Sequence, residues 1–205
     1  MEKTVLFFDT ETNGFQGSSV LSFSGYKVIF KLNDGKVSYK ILEKIDRYYY
    51  PKEEYNDGAI KVNGLNESTI TSRRKDATYP KYFKSDNYIE ELCKGVDKFV
   101  AHNIKFDESF MPIKIKNDSK FCTMLANTNV LKLEHKNPTY IRNGRAYGNS
   151  YKWPKLEECV KYYGIESNSE MLHNSLYDVE MLFKVFMKMA QSDLFYDKIY
   201  KFIFE

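Results

Sequence analysis

The sequence predicts an α/β domain, because strand patterns come first and helical and strand patterns alternate afterwards. Long stretches of β-branched and aromatic residues fill the first quarter of the chain, and an Asn-Asp-Gly turn at 33–35 joins two of them. From residue 98 onward, short apolar strands alternate with amphipathic helices, which is the order expected of α/β layers. The 205 residues fit one domain, 1–205, with a long basic and aromatic loop at about 132–152 and a C-terminal helix at about 192–205.

The first half is predicted to form a β-meander followed by short helices. Val5–Asp9 is a short apolar run, while Leu21–Lys31 and Val37–Tyr50 flank the turn as antiparallel partners. Pro51 ends the third strand. Helical character follows over 59–62, over 66–70 with Asn66 as its cap, and over 87–94.

The second half is predicted to alternate. Lys98–Ala101 has the composition of a buried fourth strand, and a helix from Ile104 follows it, to be interrupted or ended by Pro112. A fifth short strand at 121–123 precedes a helix to about residue 131. Two further helices are predicted before the C-terminal one: over 155–163, before Gly164, and over 175–190, where apolar residues recur on one face.

Composition excludes several classes of protein. No apolar stretch approaches the roughly 20 residues that span a bilayer, so we expect a soluble, cytoplasmic protein without membrane contact. The three cysteines are widely spaced and lack a CxxC pair, which argues against a disulfide framework and a zinc site. The formal charge of +3 does not identify a polyanion ligand by itself. Basic residues nevertheless outnumber acidic ones five to one over 71–84 and eight to two over 112–152, among aromatic residues.

Three short polar clusters carry the candidate chemistry. They are the segments 8–14, 101–107 and 173–178, which together contain four carboxylates and one imidazole: Asp9, Glu11, Asp107, His173 and Asp178. Because side chains alternate along a strand, Asp9 and Glu11 point to the same side. Carboxylates for a pair of hard divalent cations, with a general base, are what hydrolysis of a phosphodiester requires.

Each cluster also has a structural explanation when it is taken alone. A strand can simply end in polar residues, as at Asp9 and Glu11. Asp107 could stabilise the start of its helix, and Asp178 could form a capping pair with Ser175. His173 could be an ordinary turn residue. The joint occurrence of the clusters therefore carries more weight than any one of them.

In order and in residue detail, the clusters resemble the three motifs of the DnaQ-like, or DEDDh, family of 3′-to-5′ exonucleases. Residues 8–14 resemble the family's FDxETxG, 102–107 its HNxxFD, and 173–178 its HxxxxD. The resemblance covers about 4–190. It implies a ribonuclease H-like fold, in which helices flank a central mixed five-stranded sheet.

The resemblance also implies a role for each residue. Asp9 would bridge two Mg²⁺ or Mn²⁺ ions, and Glu11 and Asp178 would complete the site. Asp107 would act on the second ion, directly or through water, and His173 would be the general base. The products would be nucleoside 5′-monophosphates.

Substrate contacts are expected from two groups of residues. The group in the motifs consists of Thr10, Thr12, Gly14, His102, Asn103 and Phe106. The group in or directly after the long loop consists of Arg142, Arg145, Tyr147 and Trp153. Lys and Arg interleaved with aromatic rings suit a single-stranded 3′ end. DNA is somewhat favoured, with proofreading or repair as the role.

Three alternatives remain open at this point. A 3′-to-5′ exoribonuclease that trims RNA ends would use the same residues. A catalytically silent nucleic-acid-binding module would keep the fold, but the complete set of five residues argues against it. A non-nuclease metal hydrolase is disfavoured by the absence of His-rich zinc spacing.

The C-terminal segment has a face of apolar residues at helical spacing, from Leu194 to Ile203. We expect this face to pack on the domain. Docking of a second copy of the chain, or of another protein, is the alternative use. Any proofreading role would need a polymerase supplied as a separate chain.

Overall fold

The computed structural model describes residues 1–134, 141–142, 145–146, 151–168 and 174–205, with the backbone alone at 141–142 and 145–146. Its strands are β1 (Glu2–Thr12), β2 (Val20–Asn33), β3 (Lys36–Tyr48), β4 (Lys98–Ala101), β5 (Lys120–Cys122), β6 (Ile141–Arg142) and β7 (Arg145–Ala146). Its helices are α1 (Asp57–Asn63), α2 (Glu67–Arg73), α3 (Tyr88–Cys93), α4 (Ile104–Asp107), α5 (Thr123–Leu131), α6 (Leu156–Tyr162), α7 (Ser175–Ala190) and α8 (Tyr196–Phe204).

The main sheet has five strands in the order β3-β2-β1-β4-β5. β1 pairs antiparallel with β2, which pairs antiparallel with β3 across the Asn-Asp-Gly turn. On its other side β1 pairs parallel with β4, with Phe7 opposite Val100, and β4 pairs parallel with β5. The sheet is therefore mixed, and the carboxyl ends of its parallel strands β1, β4 and β5 meet at one edge.

Both faces of the sheet are covered, and alternation along β1 divides the core in two. Val5 and Phe7 face α7 and α8, where the Phe7 ring lies 5.1 Å from those of Phe183 and Phe186. Leu6 and Phe8 face the opposite side, where the apolar residues of α3 are packed. The alternation assigns each later odd-numbered residue of β1 to the α7 face. Asp9 and Glu11 are the next two.

The predicted α/β class and mixed five-stranded sheet are confirmed, and the largest differences lie at element boundaries. β1 continues past Asp9 to Thr12, because its backbone remains paired with β2 to that point. α4 ends at Asp107, well before Pro112, so proline does not set its end. The C-terminal helix begins at Tyr196, later than the expected residue 192.

The long loop contains secondary structure that the sequence pattern did not predict. β6 and β7 form a two-stranded hairpin in which Arg142 pairs with Arg145. Strands of two residues are too short to show period-two alternation, so no sequence signal marks them. The remaining loop residues over 135–150 lie outside the described parts of the chain.

Part of the basic character of the chain is used internally. Arg74 donates hydrogen bonds to the backbone carbonyls of Tyr48 and Tyr79. Lys120 and Lys152 form ion pairs with Glu108 and Glu158 at 2.7 and 2.5 Å. Simple counting of Lys and Arg therefore overstates the charge available to a ligand. Within the described residues, no helix is long and apolar enough to cross a membrane.

Candidate active site

Three of the predicted carboxylates converge between β1 and α7. Asp9 and Glu11 project from the α7 face of β1, and Asp178 lies in the first turn of α7. One oxygen from each of the three lies within 4.8 Å of the other two. This spacing allows a single cation to contact all three side chains.

The start of α7 is fixed to the sheet beside Asp9. The side chain of Asn174 caps the helix by accepting a hydrogen bond from the backbone N–H of Tyr177. Ser175 hydrogen-bonds through its hydroxyl to that of Ser24 at 2.7 Å, and Ser24 is the β2 residue opposite Asp9. Since the cap is Asn174, the predicted capping pair of Ser175 and Asp178 does not form. Asp178, in the first turn of α7, faces Asp9 and Glu11.

Ser24 also connects this helix start to the far strand of the meander. Its hydroxyl donates to Asp46 Oδ1 of β3 at 2.7 Å. A hydroxyl has one proton to donate, so Ser24 accepts from Ser175 while it donates to Asp46. A directed chain of hydrogen bonds therefore runs from α7 across β2 to β3, beneath the carboxylate cluster.

Asp107 is brought to the same edge of the sheet by β4 and α4. Its side chain is 3% exposed, and its Oδ1 accepts hydrogen bonds from the backbone N–H and the hydroxyl of Thr10, at 3.1 and 2.8 Å. Asn103, between β4 and α4, has a φ of 72°, a left-handed conformation that asparagine tolerates better than most residues. This turn allows a four-residue helix to present Asp107 next to β1.

The electrostatics of the cluster are those of crowded, buried anions. Burial raises the pKa of Asp9 well above its usual range, and the charges of Asp107, Glu11 and Asp178 raise it further. Burial and the charges of Asp178 and Asp107 raise the pKa of Glu11 to about 8. For Asp107, burial raises the pKa to about 7 against the opposing effect of the hydrogen bonds from Thr10.

These residues fit a divalent cation. Asp9 Oδ2 is buried and has no hydrogen-bond partner within the described residues, a costly arrangement unless a ligand binds there. Every donor in the cluster is a carboxylate oxygen, which suits Mg²⁺ or Mn²⁺ better than zinc. A cation would also relieve the repulsion among the anions.

His173, the predicted general base, lies outside the described residues. The next two residues, Asn174 and Ser175, are held at the start of α7 by their hydrogen bonds. The role of His173 therefore stays a prediction from the sequence.

The other residues of the first motif shape the backbone around the carboxylates. The Thr12 hydroxyl donates to the carbonyl of Gly14 at 2.6 Å, and Thr10 is committed to Asp107. In the second motif, Phe106 is half-buried, with its ring centroid 5.2 Å from that of Phe110. Substrate contact by these residues, and by Asn103, stays a prediction.

His102 has contacts that favour a structural role over the predicted substrate contact. Its Nδ1 lies 3.0 Å from the Thr123 hydroxyl, and its Nε2 lies 2.9 Å from the carbonyl of Pro154. Burial lowers its pKa to about 4, so the ring is neutral near pH 7. The neutral ring can donate from Nε2 to Pro154 and accept at Nδ1 from Thr123, which uses both nitrogens.

The long-loop residues of the prediction are only partly described. Arg142 and Arg145 lie opposite each other in the β6–β7 hairpin, and Tyr147 lies outside the described residues. Trp153 lies within the described residues; it is 55% exposed and so is open to a ligand.

Two residues that the sequence analysis did not select border the site. Phe15, directly after the first motif, is 89% exposed. Glu53 accepts hydrogen bonds from the Ser19 N–H, the Ser19 hydroxyl and Asn13 Nδ2, at 2.8, 2.7 and 3.0 Å, so it holds both ends of the loop that carries Phe15. The one sequence signal that could have marked Phe15 as a functional residue is its place directly after a glycine turn, and this signal is weak. No sequence pattern marks Glu53, because its partners are more than thirty residues away.

The chain is similar to known exonucleases both in sequence family and in structure. The family model named RNase T and described as Exonuclease matches residues 6–186. Exonuclease X in complex with 5′ overhanging duplex DNA has a TM-score of 0.54 and 18% identity, over 92% of each chain. No curated protein sequence matches the chain.

Two exonuclease I structures share the fold over part of their length. The _E. coli_ enzyme in complex with a dT13 oligonucleotide has a TM-score of 0.55 and 17% identity, and the enzyme from Methylocaldum szegediense has a TM-score of 0.59 and 16% identity. Each match covers 97% of this chain and 43% of the other. Because the family model spans most of the sequence, the chain belongs to the exonuclease family, as a DnaQ-like, metal-dependent hydrolase of the ribonuclease H-like superfamily.

Proposed function

We propose that the chain is a two-metal-ion 3′-to-5′ exonuclease that releases nucleoside 5′-monophosphates from single-stranded or frayed 3′ ends, with DNA favoured over RNA. The observation that carries the proposal is the convergence of Asp9, Glu11 and Asp178 within 4.8 Å, with Asp107 joined to the same strand through Thr10. The whole chain would act as one catalytic domain.

The chain's own residues would divide the work. Asp9, between the other acids, would hold both cations, Glu11 and Asp178 would complete one site, and Asp107 would support the second. When bound, Mg²⁺ or Mn²⁺ would supply positive charge to stabilise the phosphorane-like transition state and to lower the pKa of the attacking water. His173 would take the proton from that water, a task that suits an imidazole with a pKa near neutrality.

The surface around the carboxylates supports a single-stranded substrate. Phe15 and Trp153 present exposed rings near the ends of two predicted contact segments, and a ring can stack on any unpaired base. Hydrogen bonds from Asn13 and Ser19 to Glu53 hold the two ends of the loop that carries Phe15, so the position of the ring is restricted.

Support for DNA comes from structures that share the fold. Exonuclease X and exonuclease I were both solved with bound DNA. The exoribonuclease alternative is supported by the name of the matching family model, RNase T. A separate polymerase or a second copy would be a partner in proofreading or repair.

The decisive experiment uses 5′-labelled single-stranded DNA and RNA of the same sequence, with Mg²⁺ or Mn²⁺. We expect a ladder that shortens one nucleotide at a time from the 3′ end, faster on DNA. Asp9→Ala should abolish the ladder. His173→Ala should slow it strongly while calorimetry shows that metal binding is retained. Absence of a ladder with both metals and both polymers would refute the proposal.

A further inference from the structure

A cavity of about 650 Å³ lies on the α3 side of the sheet, and its lining includes residues that closely follow the first and second motifs in the chain. It is bounded by the loop after β1, the segment after β3, the turn before α3 and the turn after α4. The residues that matter for its chemistry are Ser18, Tyr50, Lys52, Tyr82, Lys84 and Phe110. Its size falls within the usual range of small-molecule sites.

Two walls of the cavity continue directly from active-site segments. Ser18 is three residues beyond Phe15, and Phe110 is three residues beyond Asp107. The ring of Phe110 contacts Phe106 of the second motif. Three residues of chain span at most about 10 Å, the length of roughly three stacked nucleotides of one strand. A strand with its 3′ end at the carboxylates can therefore reach the cavity within a few nucleotides.

The lining combines rings with positive charge. Tyr82 is 37% exposed, and the ammonium group of Lys52 lies 5.5 Å from the centroid of its ring. Lys84 is exposed on the same wall, and within the described residues neither lysine forms an ion pair with a carboxylate. Exposed tyrosine faces next to lysines are the combination that binds bases and phosphates of single strands.

Three carboxylates also line the cavity, and two of them are already engaged. Glu53 accepts hydrogen bonds from Ser19, and Asp86 is paired with Arg47 at 2.7 Å. Glu90, on α3, is the third and is exposed. Among the described residues that line the cavity, Glu90 is therefore the carboxylate left to offset the charges of Lys52 and Lys84.

We propose that this cavity is a subsite for the base of an unpaired nucleotide located two to five positions from the 3′ end of the substrate strand. The proposal rests on the proposed function, because that function places the 3′ end at Asp9. Tyr82 stacks on the base, while Lys52 and Lys84 contact the adjoining phosphates. Contacts with nucleotides upstream of the 3′ end would keep the shortened product bound for the next cleavage.

The test measures binding separately from cleavage. The probe is a 5′-fluorescein-labelled single-stranded DNA decamer in Ca²⁺, which replaces Mg²⁺ without supporting rapid hydrolysis, and anisotropy gives Kd. Single abasic residues are placed in turn at positions two to five from the 3′ end. For the wild-type protein we expect one position at which the abasic substitution weakens binding about fivefold or more.

Tyr82→Ala should weaken binding of the intact decamer by a similar factor, and the abasic residue at that position should then cause no further loss. Lys84→Ala should lower the slope of log Kd against log salt by about 0.7, as expected for one lost phosphate contact. Tyr162→Ala, which removes a 54% exposed ring from α6, is the matched control and should bind like wild type.

Two results would overturn the subsite: unchanged binding by Tyr82→Ala, or an abasic penalty that persists in Tyr82→Ala. Failure of the wild-type protein to bind either the DNA decamer or its RNA equivalent would instead overturn the proposed function, and the subsite with it. Thermal unfolding of each variant checks that the exposed substitutions leave the fold intact.

Discussion

Replacement of Asp9 by Asn should stabilise the metal-free protein while it abolishes nuclease activity. Burial and three neighbouring carboxylates raise the pKa of Asp9 well above its ordinary value of 3.8, so ionisation of this group is less favourable in the folded protein than in the unfolded chain. Asp9 Oδ2 is also buried without a hydrogen-bond partner within the described residues, and an unpaired buried polar group costs about 1–3 kcal/mol, or more when it is charged.

The asparagine amide has the shape of the protonated acid and does not incur this cost. Its NH₂ group can also donate to the neighbouring carboxylates. Because the site can relax around the substituted side chain, we expect a gain near the middle of that range, roughly 2 kcal/mol. For a protein of this size, the gain corresponds to an increase in Tm of about 4–8 °C.

The assay is thermal unfolding in EDTA over pH 4 to 8. Since the folded-state pKa is raised, the cost in the wild-type protein is absent near pH 4 and grows as pH rises. The advantage of Asp9→Asn should grow in the same way. Saturating Mn²⁺ should reverse the order, because the wild-type protein gains binding energy that the variant lacks. Asp118→Asn, an exposed control, should show neither effect.

An Asp9→Asn variant that is less stable than wild type at pH 8 in EDTA would refute the reasoning. The cluster would then be stabilised by contacts within the protein, and its design around a cation would lose its main support.

Three further variants test the surroundings of the site. Thr10→Val removes the hydroxyl that favours the ionised form of Asp107, so the pKa of Asp107 should rise above about 7. The acidic limb of the plot of kcat/KM against pH should then shift to higher pH. An unshifted limb would show that this hydrogen bond does not control the pKa. His102→Ala should lower the free energy of unfolding by about 2 kcal/mol, because the Pro154 carbonyl loses its partner, yet leave the rate per folded molecule within about threefold; a much larger loss of rate would restore the substrate role. Glu53→Gln should raise KM for single-stranded DNA about fivefold with kcat nearly unchanged, because the loop that carries Phe15 loses its hydrogen bonds to the carboxylate. Glu54→Gln is the control and should match wild type. Equal KM values for the two variants would show that Glu53 does not position this loop for substrate binding.

The sequence predicts the architecture well where the signal is local and periodic. Alternation along β1 assigns Asp9 and Glu11 to one face, and the apolar face of α7 defines that helix nearly to the residue. The convergence of these two residues with Asp178 depends on tertiary packing. No local pattern predicts it, and the sequence indicates it only because the order of the motifs resembles that of a known family. The confirmed sheet supplies the physical reason, since β1 lies directly under α7.

Features that depend on contacts between distant segments could not be predicted. His102 belongs to a motif, yet its environment is set by Thr123 and by Pro154, which is 52 residues away. The β6–β7 hairpin is too short to have a periodic pattern. The cavity on the α3 side of the sheet is built from four separate segments, so its existence is a property of the fold alone.

The hydrogen bond between Ser24 and Ser175 joins positions 151 residues apart, and it has a consequence for biosynthesis. Asp9 and Glu11 of β1 are translated before Asp178, which lies more than 160 residues further along the chain. The emerging polypeptide therefore carries an incomplete set of ligands until α7 docks on the sheet. We therefore expect no nuclease activity from a chain in which α7 has not yet docked on β1.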